Sequence, residues 1–164
     1  MPANLHHARE ALRRELGPEA LPAVAFVSTI EEAVREADLA VDCVPDELES
    51  KLEIFCLLDR MAPPRTVLAT PTTHLSIGDL ASCTYRADKC VAIVARPQDL
   101  MPQNLISQDG EDRTQQESAV IHLVSNRELS LRITPQTVPA TIALVSEFWQ
   151  RVGFRPRLEI EPAP

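Results

Sequence analysis

Short apolar runs alternate along this chain with amphipathic segments of helical period, a pattern typical of α/β proteins with a mainly parallel sheet. Several runs are almost wholly apolar, as strands buried on both faces are. The apolar runs predict strands over residues 23–28, 39–44, 66–69, 90–95, 120–124, 129–133 and 157–160. The amphipathic segments predict helices over residues 4–16, 29–37, 47–62, 76–84 and 138–152.

The clearest pattern spans residues 37–77, which predict a strand, a helix, a second strand and a polar turn. Asp46 occupies the N-cap position of this helix, and Glu49 completes a capping-box-like pair. Two prolines at positions 63 and 64 end the helix. Its predicted apolar face consists of Leu48, Leu52, Phe55 and Met61. The polar turn lies where the carboxyl end of the second strand emerges, and parallel sheets bind ligands at such ends.

The ends of the other helices also have sequence signals. Thr29 with Glu32, and Ser76 with Asp79, predict N-terminal caps. Single caps are predicted at Asn4 and Thr137, and helix termination at Gly17 and Gly153. The last helix is predicted to bury Val138, Ile142, Val145, either Phe148 or Trp149, and Val152.

Composition places the chain among single-domain globular proteins, with one domain expected over residues 1–164. A net charge of −8 argues against nucleic-acid and anionic-membrane partners. The four cysteines form no C-x-x-C pair, so we expect buried, reduced thiols and no metal site. A cytoplasmic location follows as the default. A polar segment over residues 98–128 predicts an excursion from the sheet, with a hairpin around residues 125–128.

The central stretch resembles the NAD-binding domain of 3-hydroxyacyl-CoA dehydrogenases, whose motif reads approximately D-L-V-E-x-V-x-E-x-x-x-x-K-x-x-x-F. The residues in matching positions are Asp38, Leu39, Asp42, Val44, Asp46, Lys51 and Phe55. The turn at Thr70, Pro71, Thr72 and Thr73 is similar to the family's S-N-T-S turn, with Pro71 in place of asparagine. The resemblance implies a Rossmann-like fold, NAD as cofactor and a relation to fatty acid metabolism.

The resemblance implies that Cys43, Asp46, Lys51 and Thr73 line the cofactor or substrate, and the polar turn at the carboxyl edge of the sheet adds further hydroxyls and His74. The candidates for cofactor binding are Cys43, Val44, Asp46, Lys51, Thr70 and Thr72, and those for catalysis are Thr73 and His74. Three alternatives remain open. Lys51 also suits an exposed helix position paired with Glu47, Asp46 suits a simple helix cap, and a polar turn before a helix explains the threonines equally well. His74 has no obvious orienting acid in the sequence. The other histidines are expected to be surface residues, at His6, His7 and His122.

Two departures from the family bear on activity. The glycines at positions 17, 78, 110 and 153 include no G-x-G pair, so the loop that cradles the dinucleotide phosphates is missing. The family's catalytic histidine falls at Ile93 or Val94, and its orienting glutamate falls at Ser130. We therefore expect a truncated Rossmann-like domain that lacks its first βαβ unit.

That truncation changes the expected sheet. In a Rossmann fold with strand order 3-2-1-4-5-6, loss of the first two strands separates residues 23–28 from residues 39–44. We expect these two strands to close up side by side, or a second copy of the chain to cover the edge.

Three functions follow as hypotheses. The first is a catalytically degenerate NAD-binding-like domain with at most weak nucleotide or acyl-CoA binding. The second is a structural or interaction subunit that forms a homodimer through the open sheet edge. The third is an active NAD-dependent 3-hydroxyacyl-CoA oxidoreductase completed by another chain.

Overall fold

The computed structural model describes residues 2–94 and 127–162. Within these ranges five strands form one sheet, in the order β1-β2-β3-β4-β5. The strands are β1 Leu39–Val41, β2 Val67–Pro71, β3 Cys90–Val94, β4 Arg127–Ile133 and β5 Phe154–Ile160. The β1–β2, β2–β3 and β4–β5 pairs are parallel, whereas β3 and β4 are antiparallel. The predicted mainly parallel α/β sheet with flanking helices is confirmed.

Helices cover both faces of this sheet. They are α1 Pro2–Leu16, α2 Ile30–Val34, α3 Leu48–Met61, α4 Ile77–Ser82 and α5 Pro139–Arg151, with short helical turns at Pro18–Ala23 and Ala87–Lys89. Helices α2, α3 and α4 pack on one face, around Phe55 and Leu68. Helix α5 packs on the other, where Val145 and Trp149 meet Ile93. Both faces of β2 are therefore buried, and all five of its residues are withdrawn from solvent, including the polar Thr70.

The strand predicted over residues 23–28 is not formed, and this prediction was wrong. Residues 24–27 have no regular structure, and β1 pairs only with β2 among the described strands. A strand requires a neighbour that completes its hydrogen-bond ladder, and this segment has none. The gap beside β1 is a cavity of ≈ 450 Å³ lined by α2, β1 and α3. The predicted closing-up of the sheet therefore does not occur.

Several helix ends form as predicted. Thr29 Oγ1 accepts a hydrogen bond from Glu32 N at 3.2 Å, and Ser76 Oγ accepts one from Asp79 N at 3.1 Å. Gly153 ends α5 with a φ of 94°, a left-handed conformation that favours glycine. These signals are local, so the sequence alone is sufficient to predict them.

Other predicted caps were wrong. Helix α1 begins at Pro2, which places Asn4 inside it. Helix α3 has Glu47 at its N-cap without a side-chain hydrogen bond, so Asp46 does not cap it. Thr137 Oγ1 accepts from Thr134 N at 3.0 Å and does not cap α5. In the last two cases the polar side chain accepts a hydrogen bond from a residue outside the helix. Asp46 accepts from Thr73 N, and Thr137 accepts from Thr134 N.

The predicted apolar faces also need correction. In α3, Leu48 and Met61 are 45% and 37% exposed, whereas Lys51 and Asp59 are buried. In α5, Trp149 is buried and Phe148 is 41% exposed. The predicted strand at 120–124, residues 98–126 of the predicted excursion and His122 lie outside the described residues, whereas residues 127 and 128, predicted as excursion and hairpin turn, belong to β4. Within the described ranges, every helix is too short or too polar to cross a membrane.

Candidate functional site

The candidate site is built from two loops at one edge of the sheet. The first loop, residues 42–47, follows β1, and the second, residues 72–76, follows β2. Because β1 and β2 are parallel neighbours, their carboxyl ends bring the two loops together. Hydrogen bonds from Asp42 N to Ala69 O (3.1 Å) and from Thr72 N to Ile93 O (3.0 Å) attach the loops to the sheet.

Asp46 joins the two loops. Its Oδ2 accepts a hydrogen bond from Thr73 N at 3.1 Å and lies 3.2 Å from His74 Nδ1. Thr73 Oγ1 lies 3.5 Å from the same carboxylate oxygen and 3.4 Å from His74 Nδ1. The predicted absence of an acid beside His74 was wrong, because Asp46 is that acid. The sequence did not reveal the pair, since 28 positions separate the two residues.

Two opposing effects act on the Asp46 carboxyl. Partial burial raises its pKa, whereas hydrogen bonds from the Thr72 hydroxyl and Thr73 N–H lower it. The nearby His74 and Lys51 lower it further. The net pKa lies below the ordinary value of 3.8, so Asp46 is a carboxylate at neutral pH.

Lys51 is not the exposed helix lysine of the open alternative. Its side chain is only 1% exposed, and its Nζ lies 2.9 Å from Asp42 Oδ1 and 3.5 Å from Val44 O. Only the backbone connects it to Glu47, through Lys51 N and Glu47 O. Helix α3 turns the lysine toward the end of β1, where Asp42 compensates its charge. Lys51 therefore connects helix α3 to the first loop through its contacts with Asp42 and Val44.

The remaining cofactor candidates are divided between surface and interior. Cys43 is exposed, contrary to the predicted burial of the cysteines. Partial burial of its thiol, followed by the charge of Asp42, raises the pKa of Cys43. Val44 lies beside it and donates its N–H to Asp42 Oδ1 at 3.3 Å. Thr70 is inside β2 and fully buried, and its hydroxyl has no partner among the described residues. Of these residues, Cys43 is the one the structure exposes.

The other cysteines lie away from this edge. All four are free thiols, with Cys90 buried and Cys56 and Cys83 partly buried. Burial raises the pKa of Cys90 to about 11, and burial together with the neighbouring Cys56 thiol raises that of Cys83 to about 12. These thiols stay protonated at neutral pH.

The two positions at which the sequence resemblance places the family histidine lie in β3. Ile93 is fully buried in the core beneath α5, and Val94 is its half-buried neighbour. Ser130, at the position of the orienting glutamate, pairs with Val94 in the sheet. Neither aliphatic side chain accepts a proton, so these positions provide no general base.

Sequence reasoning missed one residue of the site, Glu161. It follows β5, and its carboxylate accepts hydrogen bonds from the Ser76 hydroxyl, Ile77 N and Gly78 N at the end of the second loop. Burial raises the pKa of Glu161, but these hydrogen bonds outweigh it and the pKa falls below its ordinary value. The contact joins residues more than 80 positions apart, so no local signal could have predicted it.

Comparisons with known proteins agree with this architecture. Residues 3–103 match the family model described as 3-hydroxyacyl-CoA dehydrogenase, NAD binding domain. The chain is 32% identical over 155 residues to L-carnitine dehydrogenase of Burkholderia mallei, which covers 90% of this chain and 48% of that protein. It is 33% identical over 70 residues to the probable 3-hydroxybutyryl-CoA dehydrogenase of Bacillus subtilis, which covers 43% of this chain and 24% of that protein.

A solved structure shows the same fold. The (S)-3-hydroxybutyryl-CoA dehydrogenase of Ralstonia eutropha superposes with a TM-score of 0.65 at 17% identity, over 98% of this chain and 50% of that one. The chain thus spans about half the length, or less, of the relatives it matches. Sequence and fold together show that the chain belongs to the family of 3-hydroxyacyl-CoA dehydrogenase NAD-binding domains.

Proposed function

We propose that this chain is a 3-hydroxyacyl-CoA-dehydrogenase-like NAD-binding domain that is catalytically degenerate and binds a nucleotide or acyl-CoA at most weakly. The observation that supports this proposal is the burial of Ile93, at 0% exposure, at one of the two positions where the resemblance places the family's proton acceptor. Oxidation of a secondary alcohol requires a general base on the hydroxyl. Val94, the alternative position, is equally unable to accept a proton.

Among the described residues, the candidates for NAD binding lie only where the resemblance places the nicotinamide end of the cofactor. Asp46, Thr73 and the exposed Cys43 border the edge where the resemblance places the nicotinamide end. A phosphate cradle needs glycine backbone that approaches the ligand closely. In the described ranges, a side chain at Gly78 would meet Glu161, the protein's own carboxylate, and one at Gly17 would meet open space. Neither glycine forms such a cradle, which supports weak binding.

The names of the relatives suggest the class of ligand. They are a dehydrogenase of L-carnitine and dehydrogenases of 3-hydroxybutyryl-CoA, and all of these ligands have a hydroxyl at the third carbon of an acyl chain. We therefore propose a 3-hydroxyacyl compound, or its CoA thioester, as the molecule to test beside the nucleotide.

Binding is tested by titrating the purified chain with NADH and following the fluorescence of the nicotinamide. We expect a dissociation constant in the millimolar range. Asp46→Ala should abolish the signal, because it removes the residue that joins the two loops. Glu47→Gln, an exposed neighbouring acid without a cap hydrogen bond, is the matched control and should bind as the wild type does. Micromolar affinity, or equal binding by Asp46→Ala, would contradict the proposal.

A second candidate function is an interaction subunit that forms a homodimer through β1. The observation that favours it is the outer edge of this strand, which no described strand covers and where Val41 is 37% exposed beside the ≈ 450 Å³ cavity. The hydrogen bonds of Asp38 O and Asp42 N point to β2. By alternation, the N–H and C=O groups of Leu39 and Val41 point outward, as on an edge that accepts another strand.

A third candidate is an active dehydrogenase completed by another chain. Its support is the 3.2 Å approach of Asp46 to His74, which gives an exposed histidine an orienting acid. In this arrangement Asp46 contacts Nδ1 of His74, and among the described residues no hydrogen bond is formed by Nε2, the nitrogen that would face a substrate.

A further inference from the structure

The second loop of the site is held at its far end by the residue that follows β5. Glu161 Oε2 accepts from Ile77 N at 3.1 Å, and Oε1 accepts from Gly78 N at 3.2 Å and from the Ser76 hydroxyl. The backbone of Glu161 is fixed in turn, because its N–H donates to Ile133 O at 2.8 Å. One carboxylate thus connects the end of the sheet to Ser76, the last residue of the loop, and to Ile77 and Gly78, the first two residues of α4.

The near end of the same loop is held by another carboxylate. Asp46 accepts from Thr73 N at 3.1 Å, and Arg132 Nη1 donates to Leu75 O at 3.4 Å in the middle. Residues 72–76 therefore lie between Asp46 on one side and the β4–β5 end of the sheet on the other. The polar groups of Thr73 and His74 are exposed between these two attachments.

The sequence at position 78 is adapted to this contact. A side-chain carbon built at Gly78 would lie 3.3 Å from Glu161 Oε1 and 3.4 Å from Ser76 Oγ. The first distance is short for a side-chain carbon, so a larger residue at position 78 would require the Glu161 carboxylate to shift by a few tenths of an ångström. This role of glycine concerns protein packing and involves no ligand phosphate.

We propose that Glu161 is a positioning residue for the candidate site, which fixes residues 72–76 so that Thr73 and His74 face the ligand edge beside Asp46. This inference rests on the proposed function for its ligand. Glu161 touches no ligand itself and acts through Ser76, Ile77 and Gly78. The affinity of the site for a nucleotide then depends on a residue from the far end of the sheet.

The test compares Glu161→Gln and Glu161→Ala with Glu159→Gln, a neighbouring control in β5. Amide hydrogen exchange and amide chemical shifts of Thr73 and His74 are measured by NMR without ligand. We expect exchange at Thr73 to accelerate at least about tenfold in Glu161→Ala, with a smaller effect in Glu161→Gln, which keeps one acceptor oxygen. The NADH dissociation constant should rise by about the same factor. Glu159→Gln should change neither quantity.

Val145→Ala, in the core on the opposite side of the sheet, controls for general loss of stability. Unchanged Thr73 and His74 signals in Glu161→Ala, or equal acceleration in Val145→Ala, would overturn the positioning role. The NMR readout needs no ligand. Micromolar binding of NADH by the wild type would therefore contradict the proposed function while the exchange data still decide the role of Glu161.

Discussion

Lys51 and Asp42 form an ion pair at 2.9 Å in which both side chains are withdrawn from solvent, at 1% and 0% exposure. The pair joins α3 to the end of β1, directly beneath the loop that contains Cys43 and Asp46. An ammonium group at this depth is tolerated only beside a compensating charge. The lysine at this position, which the family resemblance assigns to the cofactor, here interacts with the protein itself.

Loss of one partner of this pair should be costly. Lys51→Met leaves the Asp42 carboxylate buried without compensation, and we expect the free energy of unfolding to fall by about 3–5 kcal/mol. Urea denaturation followed by circular dichroism measures the change. The double variant Asp42→Asn, Lys51→Met should recover part of the loss, because it removes both charges.

The exposed pair between Arg65 and Asp38 is a matched control, since its distance of 2.8 Å is similar but its side chains are 60% and 69% exposed. Arg65→Met should cost less than about 1 kcal/mol. If Arg65→Met and Lys51→Met destabilise the protein equally, the buried pair does not have the structural role assigned to it.

The pairing of Asp46 with His74 allows a test of whether the site is catalytically degenerate. We expect the purified chain to produce no NADH from NAD and 3-hydroxybutyryl-CoA, because the described residues include no phosphate cradle and Ile93 cannot act as a base. The measurement is NADH absorbance over hours. Turnover that falls by about 10²-fold or more in both His74→Ala and Asp46→Asn would instead identify the pair as the acid–base group.

Glu161 should make stability depend on pH in acid. Its folded-state pKa lies below its ordinary value of 4.5, so its contribution is fully present above that value and is lost as the pH falls through the lower folded pKa. We expect the melting temperature of the wild type to fall more steeply than that of Glu161→Gln below this point. Parallel melting profiles for the two proteins across this range would show that the carboxylate hydrogen bonds do not stabilise the fold.

The cysteines should differ in their reactivity toward iodoacetamide. Cys43 is exposed and should be labelled first, whereas the pKa values of about 11 for Cys90 and about 12 for Cys83 leave almost no thiolate there. Mass spectrometry of timed samples gives the order, with Cys43→Ser as the control. NADH should slow the labelling of Cys43, since the first loop borders the proposed site. Labelling of Cys83 at the rate of Cys43 would contradict the packing of α3 on α4.

The contrast between Thr29 and Lys51 shows what the sequence could predict. Thr29 caps α2 through a residue three positions away, and the strand and helix periods are equally local. The burial of Lys51 depends on which face α3 turns to the sheet and on Asp42 nine positions earlier. The spacing of Leu48 and Met61 predicts an apolar face of α3. Tertiary packing instead buries the charged pair of Lys51 and Asp42 and leaves both apolar residues substantially exposed.

In the site, as in the fold, the sequence predicts the local features and not the contacts that depend on tertiary packing. The polar turn at Thr72 and Thr73 was located correctly, because the carboxyl ends of neighbouring parallel strands meet at one edge. The contacts that arrange it join Asp46 to His74 and Glu161 to Gly78 across loops. Such contacts depend on the assembled sheet. The strand predicted over residues 23–28 also depends on the assembled sheet. It does not form, because no described strand lies beside it to complete a hydrogen-bond ladder.

The outer edge of β1, which no described strand covers, is expected to form a contact between two copies of the chain. An antiparallel β1–β1 contact centred on Ala40 would pair the outward groups of Leu39 with those of Val41 from the second copy, and the reverse, so the edge is complementary to itself. We expect light scattering on a size-exclusion column to give twice the chain mass of 18.2 kDa. Val41→Lys should shift the mass to that of the monomer, because a charge at a strand edge opposes pairing.

Val41→Pro is a second variant, since it removes an outward N–H and leaves the hydrogen bonds to β2 in place. Ile160→Lys is the matched control, because this residue is 68% exposed on β5 at the opposite end of the sheet. It should leave the dimer intact if β1 is the interface. A monomeric wild type at all concentrations, or a dimer lost in Ile160→Lys and retained in both Val41 variants, would exclude the β1 edge as the contact between copies.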